Sequence, residues 1–142
     1  MTKPNQLDAL GNKSDIPKHP DKNVLEKVNN PKIGVNYSIR LTCPEFTSIC
    51  PVTSQPDFAN IYIYCDTPIN TVWLINYLIS FQNKGHFHEK CIDDIFLEIL
   101  NKYNCNHLEI CGRFQRRGGI DINPIRGTNT KILFLNFREF NQ

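Results

Sequence analysis

The sequence contains no apolar run approaching the ~18 residues of a membrane span. Its opening stretch, MTKPNQLDALGNKSD, lacks the apolar core of a secretory signal. The expectation is a cytoplasmic protein whose six cysteines are mostly thiols. An excess of charge of one sign is also missing. Sixteen basic side chains against fourteen acidic ones leave a net charge of +2, which gives no electrostatic case for nucleic acid or a membrane surface. Cys43, Cys50, Cys65, Cys91, Cys105 and Cys111 include no C-x-x-C pair, so zinc-ribbon spacing is absent. The one local group of ligand types is His86, His88 and Cys91, which reads more readily as surface histidines beside a buried cysteine than as a metal site. No internal repeat and no low-complexity block interrupts the chain.

What is present is ordinary globular composition in a length that fits one domain with its own core. Residues 1–32 are polar and carry Pro4, Pro17, Pro20 and Pro31, so they read as an arm or extended lead-in to a domain over 33–142. Val35, Tyr37, Ile39 and Leu41 alternate with polar residues and predict a half-buried strand. A Pro-, Thr- and Ser-rich loop is expected from Cys43 to Phe58, then a strand over Ala59–Cys65. Thr71–Gln82 is almost continuously apolar and predicts a buried helix, broken at Asn83-Lys84-Gly85. Ile92, Ile95, Phe96 and Ile99 recur at helical spacing within a second helix, from about His88 to Lys102. Strands are expected at Leu108–Gln115, Ile120–Asn123 and Ile132–Phe137. This order gives an α+β domain, an antiparallel sheet with two helices on one face. Its open edges favour a homo-oligomer.

Three segments carry chemistry. In Cys43-Pro-Glu-Phe-Thr-Ser-Ile-Cys50-Pro-Val-Thr-Ser-Gln-Pro-Asp57-Phe58, a thiol and a carboxyl lie seven residues apart in a stretch held by three prolines. A thiol that favours its thiolate form is a nucleophile, and a nearby acid can protonate its adduct. Equally, Cys50 could be a small buried hydrophobe and Asp57 a turn former. In Gly85-His86-Phe87-His88-Glu89, Glu89 either favours a helix N-terminus or faces ligand N–H donors, with Phe87 or Phe46 as an apolar platform. Arg116-Arg117-Gly118-Gly119 suits either an anionic group approaching the backbone or a charged hairpin turn.

The string PEFTSICPVTSQPDFANIYI resembles the signature loop of the 7-cyano-7-deazaguanine reductase (QueF) family, which reads close to PEFTSLCPxTGQPDFAxI. SFQNKGHFHEKC is similar to that family's SFRNHGxFHEDC, and RRGGIDINP to its PRGGIxIDP. The likeness runs from about Tyr37 to Pro124. It implies a tunnelling fold, in which subunits join their sheets into a barrel and bind the ligand between neighbours. It also implies reduction of the nitrile of 7-cyano-7-deazaguanine (preQ0) to the aminomethyl group of preQ1 with two NADPH, a step towards queuosine in tRNA. Carried over, Cys50 adds to the nitrile carbon to give a thioimide, Asp57 is the proton donor and His88 stands beside the reacting carbon. Glu89 and His88 hold the substrate together with Ile69, Asn70 and Thr71, and Arg117 and Gly118 bind the cofactor. No metal is implied, nor any direct contact with nucleic acid or membrane.

The family's VESKSLKLYL stretch is altered here. Asn70 replaces its acidic residue, Val72 and Ile75 replace its two lysines, Gln82 stands at an arginine and Arg116 at a proline. Two alternatives follow: a degenerate member that binds a deazapurine without reducing it, and a zinc-dependent cyclohydrolase on the same fold. Cys91 reads either as core packing or as a resolving thiol that captures oxidised Cys50.

Overall fold

The computed structural model describes Gly34 and residues 38–129. The expected lead-in 1–32 and the expected strand Ile132–Phe137 lie outside these residues, as do Val35 and Tyr37 of the first strand. Within them the chain runs β1 (Ile39–Ile49), β2 (Pro56–Cys65), α1 (Thr71–Ile79), a 3₁₀ turn (Ser80–Asn83), α2 (His88–Tyr103), β3 (Leu108–Phe114) and β4 (Ile125–Gly127). The four strands form one antiparallel sheet in sequence order.

The expected loop from Cys43 to Phe58 is mostly strand. β1 continues to Ile49 and β2 begins at Pro56, so only the hairpin turn between them is irregular. The strand is hard to see in the sequence because its alternation breaks. A bulge falls between Cys43, paired with Ile61, and Phe46, paired with Ala59. Pro44, with no N–H to donate, sits in that bulge. One extra residue moves the inward set from Ile39, Leu41 and Cys43 to Phe46 and Ser48, and the last two are buried.

The inward face of β2 (Ala59, Ile61, Ile63, Cys65) and that of β3 (Leu108, Ile110, Phe114) pack on Leu74, Tyr77 and Leu78 of α1 and on Ile92, Ile95 and Ile99 of α2. Each buried Ile, Leu or Phe among them contributes about 1.5–3 kcal/mol by leaving water. Asn70 caps α1, its side-chain oxygen accepting the N–H groups of Val72 (3.1 Å) and Trp73 (3.4 Å). α2 ends on Asn104 in the left-handed conformation, φ 50°. The last strand lies at Ile125–Gly127 and not at Ile120–Asn123; Ile120 instead closes a tight turn with Arg117.

α2 crosses β3 so closely that Gly112 leaves no space for a side chain. A Cβ there would lie 2.7 Å from Ile92 Cδ1 and 2.8 Å from Phe114 Cε2, both buried. Gly112→Ala is therefore expected to destabilise the domain by about 1–3 kcal/mol, as overpacking does. Thermal unfolding checks this; an unchanged midpoint would show that α2 can move aside freely.

Candidate active site

The hairpin turn is held by its own backbone. Cys50 N–H donates to the Gln55 carbonyl (2.8 Å) and Ser54 N–H to the Cys50 carbonyl (2.9 Å). Ser54 takes φ 57° to close it. The Cys50 thiol is half-buried and its pKa is lowered. The chief cause is a hydrogen bond from the Thr53 hydroxyl, helped by the backbone N–H groups of Thr53 and Val52, while the charge of Asp57 opposes it. Cys43 differs: burial pushes its thiol up.

A second segment is pinned against this turn. Ile49 N–H donates to the Lys84 carbonyl (3.3 Å) and His86 N–H to the Ile49 carbonyl (3.1 Å). Gly85 suits that approach, since a Cβ on it would stand a tight 3.3 Å from Pro51 Cα. The contact brings the start of α2, with His88 and Glu89, to the tip of the β1–β2 hairpin. Glu89 is exposed in the first helical turn.

Asp57 lies one residue into β2 and is buried at 4% exposure. His88 Nε2 stands 3.3 Å from its Oδ2. The His88 ring is fixed by stacking on Phe114, centroids 4.0 Å apart and planes 8° from parallel. Arg117 reaches across from the β3–β4 connection. Its Nε donates to Asp57 Oδ1 (2.8 Å), Nη2 to the same oxygen and to the Pro56 carbonyl (3.2 Å), and Nη1 to Gln55 Oε1 (2.5 Å).

Cys50, Asp57, His88, Glu89 and Arg117 thus gather at one end of the sheet. Ile69, Asn70 and Thr71 do not join them. They follow β2, at the opposite end of a strand whose ten residues span roughly 30 Å at about 3.3 Å each. Ile69 is in the core and Asn70 is the buried cap of α1. Gly118 has φ 57° and Gly119 φ 81°, the pair needed at the centre of a two-residue reverse turn between Arg117 and Ile120. Of the two candidate platforms, Phe46 is locked in the core against Phe81 and Phe114, and Phe87 is 58% exposed. His86, His88 and Cys91 turn to three different partners: Asp94, Asp57 and Ser48. Burial holds the His86 imidazole below its usual range and pushes the Cys91 thiol up to about 12, a packed-thiol environment.

Sequence reasoning missed Gln55, Thr53 and Phe114 as supports of the site. Gln55 and Thr53 lie within the Pro-rich segment itself. Phe114 carried no signal beyond its place at the end of a strand.

The other cations at this end divide in two. Arg116 pairs with Asp121, and among the described residues Lys84 and Arg113 have no acidic partner. Arg113 borders a cleft of about 310 Å³ with Phe58, Asn60 and Gln115.

A family model described as "QueF-like protein" matches residues 56–132. The NADPH-dependent 7-cyano-7-deazaguanine reductase of Staphylococcus saprophyticus is 44% identical over 121 residues, 83% of this chain and 72% of that one. The enzyme of the same name from Ruegeria pomeroyi is 40% identical over 129 residues, 89% and 83% of the two chains. That from Bacteroides thetaiotaomicron is 41% identical over 122 residues, 84% and 81%. Among solved structures, the archaeosine synthase QueF-Like in its apo form superposes with a TM-score of 0.60 at 12% identity, over 66% of this chain and 94% of that one, a likeness of fold. With a family model over more than half its length and relatives at this identity and coverage, the chain belongs to the QueF-like family.

Proposed function

We propose that the protein is an NADPH-dependent nitrile reductase that converts the cyano group of preQ0 to the aminomethyl group of preQ1, on the way to queuosine. The observation that carries this reading is the gathering of a thiol whose pKa is lowered and the Asp57–His88 pair at one end of the sheet. The relatives named as 7-cyano-7-deazaguanine reductases support it.

A nitrile is a poor hydride acceptor, and addition of a thiol across it gives a better one. Cys50 Sγ bonds to the nitrile carbon, and the thiol proton passes by way of Asp57 to the nitrogen, leaving a thioimide. Two NADPH, bound in turn, would each supply one hydride, one for each two-electron step. After the first reduction the carbon–sulfur bond breaks, Cys50 is restored and an imine remains. Asp57 and His88 deliver the one proton that each reduction requires to nitrogen. Glu89, one residue beyond His88, accepts ring N–H groups of the deazaguanine, and the exposed Phe87 offers an apolar face.

Ile69, Asn70 and Thr71 belong to this site, yet in the same chain they follow the far end of β2 from Asp57. A neighbouring copy therefore supplies them, through sheets joined between subunits in the tunnelling fold. The domain over 33–142 carries that arrangement, with 1–32 as its lead-in. The thiol chemistry fits the reducing cytoplasm. Among the described residues no helix is long and apolar enough to cross a membrane.

Anionic phosphates need cations, and Lys84 and Arg113 fit that need at the hairpin end. α1 contributes little, because Val72 is half-buried and Ile75 is 54% exposed where the family carries lysines. These positions lie three apart on one side of the helix. Val72→Lys with Ile75→Lys is expected to lower the NADPH requirement about tenfold, the scale of one charge-assisted contact. Steady-state kinetics check this. An unchanged requirement would mean that α1 does not face the cofactor.

The reading as a whole is tested by supplying preQ0 and NADPH and following both. Two NADPH oxidised for each preQ1 formed supports it. Tight preQ0 binding with no oxidation would favour a degenerate binder.

A further inference from the structure

Arg117 was expected to hold the cofactor, yet its donors are already committed. A guanidinium has five N–H groups. Here Nε and Nη2 both point to Asp57 Oδ1, the second Nη2 hydrogen goes to the Pro56 carbonyl, and one Nη1 hydrogen goes to Gln55 Oε1. Only one Nη1 hydrogen is left without a partner in this arrangement.

The partners it does hold are informative. The Gln55 carbonyl accepts the Cys50 N–H, so the residue gripped by Nη1 is also the residue that closes the Cys50 turn. Pro56 is the first residue of β2 and Asp57 the second. One guanidinium therefore ties the carboxylate to the segment bearing the nucleophile. Both contacts to Asp57 fall on Oδ1, leaving Oδ2 turned to His88 at 3.3 Å. The backbone beneath Arg117 is equally fixed. Arg117 and Ile120 exchange both N–H···O bonds (3.0 and 2.9 Å) around the Gly118-Gly119 turn.

We propose that Arg117 is a positioning residue for the thiol-addition step: it locks Asp57 against the Cys50 turn and leaves Oδ2 for proton transfer. This rests on the nitrile-reductase reading for its chemistry, though the lock itself is a property of the empty protein. Removing the cation does two things. It frees the carboxylate to swing away from Oδ2's place beside His88. It also leaves the Asp57 charge, which opposes the Cys50 thiolate, without its counter-charge.

The test uses the full chain and two readouts without cofactor. With preQ0 alone, Arg117→Gln is expected to form the thioimide about 10²-fold more slowly, the scale on which a misplaced catalytic group costs rate. With iodoacetamide alone, its Cys50 alkylation profile is expected to shift to higher pH. In residual turnover the KM for NADPH stays within a factor of about three and the loss falls on kcat. Gln55→Leu, which removes only the Nη1 acceptor, should shift adduct formation the same way by less, and it serves if Arg117→Gln does not fold. Arg116→Gln, which breaks only the exposed pair with Asp121, should change none of these. Wild-type adduct and alkylation rates in Arg117→Gln or in Gln55→Leu, with a raised KM for NADPH in Arg117→Gln, would overturn the proposal. A wild type that forms no adduct would sink the nitrile-reductase reading instead, and the alkylation profiles would still decide the role of Arg117.

Discussion

Cys50→Ala is expected to abolish both the adduct with preQ0 and all turnover, and Cys43→Ala to keep both. The two thiols lie in one strand-and-turn segment but in opposite environments. Cys50 receives hydrogen bonds from Thr53 and the turn backbone, which favour its thiolate. Cys43 faces the core side before the bulge, where burial favours the neutral thiol. As pH rises, Cys50 ionises first, so iodoacetamide near neutral pH should label it ahead of Cys43. Peptide mapping after brief labelling checks the order. An adduct that survives in Cys50→Ala would mean that another group attacks the nitrile.

The second large effect is expected at Asp57. Asp57→Asn keeps the shape but removes the carboxyl group that, in the proposed mechanism, takes the thiol proton and passes it on. Adduct formation should fall by about 10²–10⁴-fold, the usual share of general acid–base catalysis. Alkylation of Cys50 should not fall with it, because the Asp57 charge works against the thiolate. That split separates a lost proton relay from a damaged turn. Equal losses in adduct formation and alkylation would indicate that Asp57 matters by holding the hairpin together.

The two helices were legible because their signals are local. Ile92, Ile95 and Ile99 repeat at helical spacing and all three are buried. Asn83-Lys84-Gly85 does end the apolar run that forms α1 and its 3₁₀ extension. β1 was legible only up to its bulge. Beyond Pro44 the inward positions change parity, so a strand that extends to Ile49 reads as loop. β4 was displaced because Ile120 and Ile122 look like strand residues. In fact Gly118 and Gly119 turn the chain at once, and pairing resumes only at Ile125. At the site, motif likeness named Cys50, Asp57, His88 and Glu89, and the fold brings all four to one end. It could not reveal that Arg117 holds Asp57, a contact between residues sixty apart in sequence. Nor could it show that Asn70 caps a helix at the far end of the sheet.

Covalent addition of Cys50 to a nitrile is the central claim, and intact-mass spectrometry tests it most directly. The wild-type protein, incubated with preQ0 and no NADPH, should gain the mass of one preQ0 per chain. A new absorbance band should accompany it, and trapping with iodoacetamide should find Cys50 protected. An unchanged mass, with Cys50 as reactive after incubation as before, would contradict the account.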